Sequence, residues 1–198
     1  MTGLALVVMR TVGLAIAAVL SMAPLAALSG WHAASPGRAA RASHGCLRVL
    51  AALPLVVVGL VLLALLPSAA AWWLVLLTLA LGAYAPLALA VSDARESLGR
   101  RLERDALALG ATPRTVFYDV MVPVLRPALL GASLRTIARL TGETGVFLIV
   151  SSTHTSTLGA RLLTEANRAH AVPVVTLLVL LGVPVALAAI AARLEARA

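Results

Sequence analysis

Five stretches of this chain are apolar over roughly 20 residues each, the length an α-helix needs to cross the hydrocarbon core of a bilayer. They run approximately over Leu4–Leu28, Leu47–Leu66, Ala71–Val91, Ala128–Val150 and Ala171–Ala192. In lipid each backbone N–H and C=O must be satisfied within its own segment, so spans of this kind are helices. With 198 residues in all, five spans leave no room for a soluble domain beside them. The expected fold is therefore all-α: one membrane domain over residues 1–198, a polytopic helix bundle of about five transmembrane helices. Composition agrees, with 61% hydrophobic and 12% charged residues, where soluble domains sit near half apolar and a quarter charged.

All sixteen basic residues are Arg, and the formal net charge is +8. They gather at the ends of the apolar runs, which suits membrane orientation and lipid contact rather than nucleic acid. Arg38, Arg41 and Arg48 fall between the first two spans; Arg95, Arg100, Arg101, Arg104, Arg114 and Arg126 fall between the third and fourth; Arg193 and Arg197 close the chain. By the positive-inside rule that side is cytoplasmic, which puts the N-terminus outside and the C-terminus inside. Trp72 and Trp73 stand at the outer end of the third span, where aromatic anchors belong. Arg10 lies near the outer end of the first run and can snorkel to the interface. The alternative for residues 1–30 is a cleaved signal peptide with Arg10 in its basic region. The single Cys46 rules out an internal disulfide.

No catalytic residue is expected. Gly131-Ala132-Ser133 begins a nucleophile-elbow pattern, but Leu134 stands where its closing Gly belongs. The four His show no metal-ligand spacing, and no P-loop is present, so no metal, no cofactor and no ATPase activity are expected of this chain.

The one long charged interruption is Ser92–Pro127. Within it Leu102, Ala106 and Leu109 recur at helical spacing with Arg101, Arg104 and Asp105 between them, an amphipathic pattern. Gly110 stops that helix. Thr112-Pro113 reads as a cap followed by Pro at the first helical position, opening a second short helix that lasts until Pro123. Such a segment is either an ordinary solvated loop or a compact docking knob.

Glu103-Arg104-Asp105-Ala106-Leu107-Ala108-Leu109-Gly110-Ala111-Thr112-Pro113, with the later Met121-Val122-Pro123, resembles the E-A-A signature of ABC-importer permeases of the binding-protein-dependent type. Arg104 and Asp105 replace the family's usual Glu and Ala, and Val122 replaces Leu. Pro24-Leu25-Ala26-Ala27-Leu28, Leu50–Leu60 and Ala138-Arg139-Leu140-Thr141-Gly142-Glu143-Thr144 resemble further permease segments, the last two closest to the phosphate-transport subfamily. That subfamily commonly has six spans, so either five suffice here or the start is truncated. The resemblance implies a transport subunit of the bacterial cytoplasmic membrane, moving phosphate by alternating access. It implies that Glu103–Pro113 is a cytoplasmic coupling helix seated on an ATPase, with Glu103, Asp105, Ala106, Gly110, Ala111 and Pro113 in the coupling role. The partners it implies are an ABC ATPase dimer, a second permease subunit, identical or related, and an extracytoplasmic substrate-binding protein. The competing readings are a permease for molybdate or sulfate and a degenerate, non-transporting membrane scaffold.

The fourth apolar run holds Arg135, Arg139 and Glu143, spaced by four residues and so on one helix face. Charges at bilayer depth are costly and face a bundle interior or a wet cavity. Arg139 and Glu143 are placed to pair, while the guanidinium of Arg135 suits an oxyanion. Arg135, Arg139, Glu143 and Thr144 are thus expected along the substrate pathway; the other reading is a salt bridge that only holds helices together. The polar outer loop Ser151–His170 is either a connector or the edge on which a binding protein docks.

Overall fold

The computed structural model describes residues 2–66, 71–143 and 174–195, and every regular element in them is helical. The first, α1 (Thr2–Ala33), is an unbroken helix with Pro24 inside it. A turn at Gly37, whose φ of 139° a side chain would resist, leads to α2 (Arg38–Ala52) and α3 (Leu55–Leu65). The long α4 (Ala71–Ala94) follows. A π-helical turn, Arg95–Gly99, opens into the short charged α5 (Arg100–Ala108). The brief α6 (Pro113–Thr115) and a second π-helical stretch, Val116–Met121, run into α7 (Val122–Thr141). The last described element is α8 (Val174–Glu195).

The molecule is an all-α membrane bundle, as the sequence implies. Among the described residues three helices are long and apolar enough to cross a membrane, Leu6–Ala33, Trp72–Ser97 and Val116–Thr141, and α2 with α3 makes a fourth if counted as one bent span. The apolar α8 occupies the place of the last expected segment. Trp72 and Trp73 are exposed at the start of α4, their rings stacked 4.0 Å apart.

Two elements depart from the sequence expectation. The second apolar run is not one straight helix: the chain breaks at Leu53-Pro54 and α3 leaves α2 at 92°. Leu53 takes an extended conformation because a following proline disfavours the helical one, and Pro54 then caps α3. The fourth helical run starts at Val116, well before Ala128, so the expected second short helix of the charged segment is the first part of the span. Pro123 does not end it, because at the start of α7 its missing N–H costs little. The helix of this run stops at Thr141, with Gly142 donating back to the Arg139 carbonyl at 3.1 Å. The remainder of that expected span lies outside the described residues.

Packing centres on α1 and α4. Ala15, Ala18, Ala26 and Ala33 of α1 share one core with Leu79, Ala80, Ala83, Leu87 and Ala88 of α4. Small side chains let two backbones approach, which is how membrane helices gain contact where lipid is as apolar as leucine. The approach is tightest at Gly30: a Cβ there would overlap the Ala88 carbonyl oxygen and come within 2.9 Å of Val91 Cβ. Two buried hydroxyls are satisfied inside their own helices, Thr78 Oγ1 donating to the Leu74 carbonyl at 2.7 Å and Thr141 Oγ1 to that of Ala138 at 2.8 Å, whereas buried Ser92 Oγ pairs with His44 Nδ1 of α2 at 3.1 Å.

Gly30→Ala pushes against backbone, so we expect a loss of about 2 kcal/mol and a lower melting temperature. Gly82→Ala meets only the branched end of Leu55, which can turn aside, and is expected to cost less. Thermal unfolding of the two purified variants checks this; equal shifts would contradict the backbone contact.

Candidate functional site

The charged segment is fixed to the bundle by one buried arginine. Arg95 begins the turn after α4 and is only 7% exposed. Its Nη2 donates to Glu103 Oε2 at 2.9 Å and Oε1 at 3.1 Å, and its Nε reaches Oε2 at 3.3 Å. Nη1 donates to the Trp31 carbonyl at 2.6 Å and to Ser35 Oγ at 3.1 Å. The guanidinium also stacks over the Trp31 ring, 3.7 Å from its centroid. Trp31 in turn meets Phe117 edge-on at 5.3 Å. The end of α1, the end of α4 and α5 thus meet at a single cation, and the start of the next span joins them through Trp31. A forked donor is required for this: a lysine ammonium cannot chelate a carboxylate, stack on an indole and reach a carbonyl at once.

This arrangement sets the geometry of the expected coupling residues. Glu103 is half-buried and held by Arg95. Asp105 is exposed and lies 4.0 Å from Arg101 Nε, a surface pair of little energetic weight. Ala106 is half-buried, and its carbonyl accepts the Ala111 N–H at 3.1 Å. Gly110 has φ 87°, the left-handed turn that ends α5. Ala111 is half-buried, and Pro113 opens α6. Thr112 caps that turn, its Oγ1 accepting the Thr115 N–H at 3.2 Å. Leu102, Leu107 and Leu109 stand out from the knob, Leu109 at 89% exposure. An apolar tip of that kind is what a groove on a partner would bury. Leu109, beside the helix-ending glycine, is the most exposed apolar side chain of the knob and lies outside the set of expected coupling residues. The sequence carries no local signal for the roles of Arg95, Trp31 and Ser35.

The pathway residues divide. Arg135 and Arg139 line one cleft of about 140 Å³ with Thr136, closed by Pro86 and Ala90 of α4 and by Ala132. Arg135 also borders a larger cleft of about 770 Å³ that runs toward Asp93 and Ser97. Glu143 does not continue their face. The helix ends at Thr141, so four-residue spacing no longer governs its direction, and among the described residues no ion pair joins it to Arg139. Thr144 lies outside the described residues.

Residues 22–197 match the family described as "binding-protein-dependent transport system inner membrane component". The chain belongs to that family. This inner-membrane permease component of an ABC-type importer is also similar in fold to two solved structures, both at 16% sequence identity. One is an amino acid ABC transporter crystallised with histidines, with a TM-score of 0.76 over 98% of this chain and 94% of that one. The other is the MetNI methionine ABC transporter in inward-facing conformations, with a TM-score of 0.69 over 100% of this chain and 96% of that one. No curated protein matches the sequence. The family description names no substrate, and the titles of the two structures name amino acids rather than phosphate.

Arg95→Lys removes the fork while keeping the charge, and Glu103→Gln leaves the cation without its carboxylate. Each is expected to cost the segment about 3 kcal/mol. Hydrogen exchange of peptides spanning residues 95–112 should quicken by about a hundredfold, with the first half of α1 unaffected. Unchanged exchange in both variants would mean that the clamp does not hold the knob.

Proposed function

We propose that this permease component carries an anion bearing a compact oxygen group, with inorganic phosphate as the substrate, across the cytoplasmic membrane. The reading rests on the cleft in which Arg135, Arg139 and Thr136 face α4. Two guanidiniums and a hydroxyl along a membrane helix form a donor set for an oxyanion, and they gain strength where water is scarce. The resemblance of Ala138–Thr144 to phosphate-type permeases supports the choice of phosphate.

Energy enters from outside this chain. A separate ATPase dimer engages the knob of α5, Gly110 and Leu109, and its closure moves the end of α1 and the start of the next span together, since Arg95 holds Trp31 and Trp31 meets Phe117. A second permease subunit, identical or related, completes the path, and an extracytoplasmic binding protein delivers the substrate. The N-terminus faces outward and the C-terminus the cytoplasm, the orientation that the Arg distribution favours.

An amino acid is the second reading, because both solved structures of this fold carry amino acid transporters in their titles. A carboxylate satisfies the same fork.

In vesicles containing the assembled importer, labelled phosphate should accumulate on addition of ATP. Arg139→Ala and Arg135→Gln should each lower uptake about tenfold or more, the weight of one charge-assisted hydrogen bond. Wild-type uptake in both variants would remove the pathway assignment. Uptake of amino acids with none of phosphate would replace phosphate by a carboxylate substrate.

A further inference from the structure

Beside the clamp lies a cavity separate from the arginine cleft of α7. It is a groove of about 420 Å³ between α1, α4 and α7, walled by Leu28, Val91, Leu125 and Leu129. One end is bounded by Trp31 and Phe117, the rings that help fix the charged segment. At its rim stand two exposed polar groups, the Arg126 guanidinium and the His32 imidazole, and among the described residues no carboxylate lines it. Leu25 and Leu28 on α1 and Leu130 on α7, beside the groove, are themselves exposed, at 54%, 59% and 49%.

We infer that this groove holds an acyl chain of an anionic phospholipid, with the lipid phosphate at Arg126 and His32. The direction is set by the helices. α7 departs from the charged segment, and helical side chains lean toward the N-terminus of their helix. Arg126 therefore leans toward the face of the membrane that carries α5, where headgroups lie, while Leu125 and Leu129 continue inward along the tail. A long basic side chain at that depth keeps its head in the interface. The chemistry selects among lipids: apolar walls take any tail, whereas an uncompensated guanidinium with a ring N–H at the mouth favours a headgroup of net negative charge. The lipid touches Trp31 and Phe117 directly, so it packs against the wall that supports the clamp.

The test uses the assembled permease–ATPase complex in nanodiscs of mixed phosphatidylcholine and phosphatidylglycerol, with the lipid retained after extraction measured by mass spectrometry. The wild type should retain phosphatidylglycerol preferentially. Arg126→Gln should lower that preference about fivefold, the weight of one cationic side chain at an anionic surface. Arg114→Gln removes an equal charge from the exposed knob and should leave it unchanged. Ala27→Phe fills the groove and should abolish retention of either lipid. An unchanged preference in Arg126→Gln, or an equal loss in Arg114→Gln, overturns the inference. Ala27→Phe complexes that keep their lipid overturn it as well, and loss of the second permease subunit in that variant at constant lipid content would identify the groove as a subunit contact. Should Ala27→Phe fail to assemble, the two charge variants decide the matter.

Discussion

A guanidinium that is 93% removed from solvent must have each of its donors answered, or the structure around it moves until they are. Arg95 is answered by a carboxylate, a peptide carbonyl, a serine hydroxyl and an indole face. These groups come from two separate parts of the chain, residues 31–35 and Glu103, and their positions are correlated through one planar cation. The charged knob cannot tilt without either stretching the Glu103 contact or dragging the Trp31 end of α1. A looser attachment, through apolar contacts alone, would permit sliding; the directional bonds of a fork do not. The remainder of the charged segment, with its glycine turn and capped short helix, hangs from that fixed point.

Much of the scaffold was legible in the sequence because membrane insertion leaves few alternatives. A run of apolar residues in lipid has to be helical, so the all-helical fold and the rough place of its apolar elements follow from hydropathy. The Gly110 turn and the Thr112 cap were legible for a different reason: both are local, decided by φ and by a hydroxyl three residues from its partner. What escaped was set by contacts between distant parts of the chain. Arg95 and Trp31 are joined across 64 positions, and nothing about either residue announces the other. The resemblance gives Glu103 an expected coupling role, and nothing in that pattern announces the bond of its carboxylate to Arg95. The elbow at Leu53-Pro54 was missed because hydropathy is blind to direction; Val and Leu continue on both sides of it, and only the proline betrays the break.

The arginine face of α7 shows the same division between pattern and boundary. Four-residue spacing placed Arg135 and Arg139 together, and they line one cleft. The same spacing extended to Glu143 failed, because the helix had already ended. Periodicity is informative only while the helix that generates it persists. Composition said nothing about where it stops, since Thr141-Gly142 is compatible with a continuing membrane helix as well as with a cap.

The elbow between α2 and α3 has a consequence for how far these two helices reach. An 11-residue helix such as α3 is only about 16 Å long, roughly half the thickness of the hydrocarbon layer. Leu55, just past the break, meets Gly82 near the middle of α4, and Leu53 at the corner is 39% exposed on the isolated chain. The corner keeps its backbone answered locally, with the Leu53 N–H on the Leu50 carbonyl at 3.3 Å and the Pro54 carbonyl accepting from Val57 at 3.0 Å, as a bend at membrane depth requires. Half the reach of a full span is thus turned sideways, and α3 lies against α4 rather than extending α2.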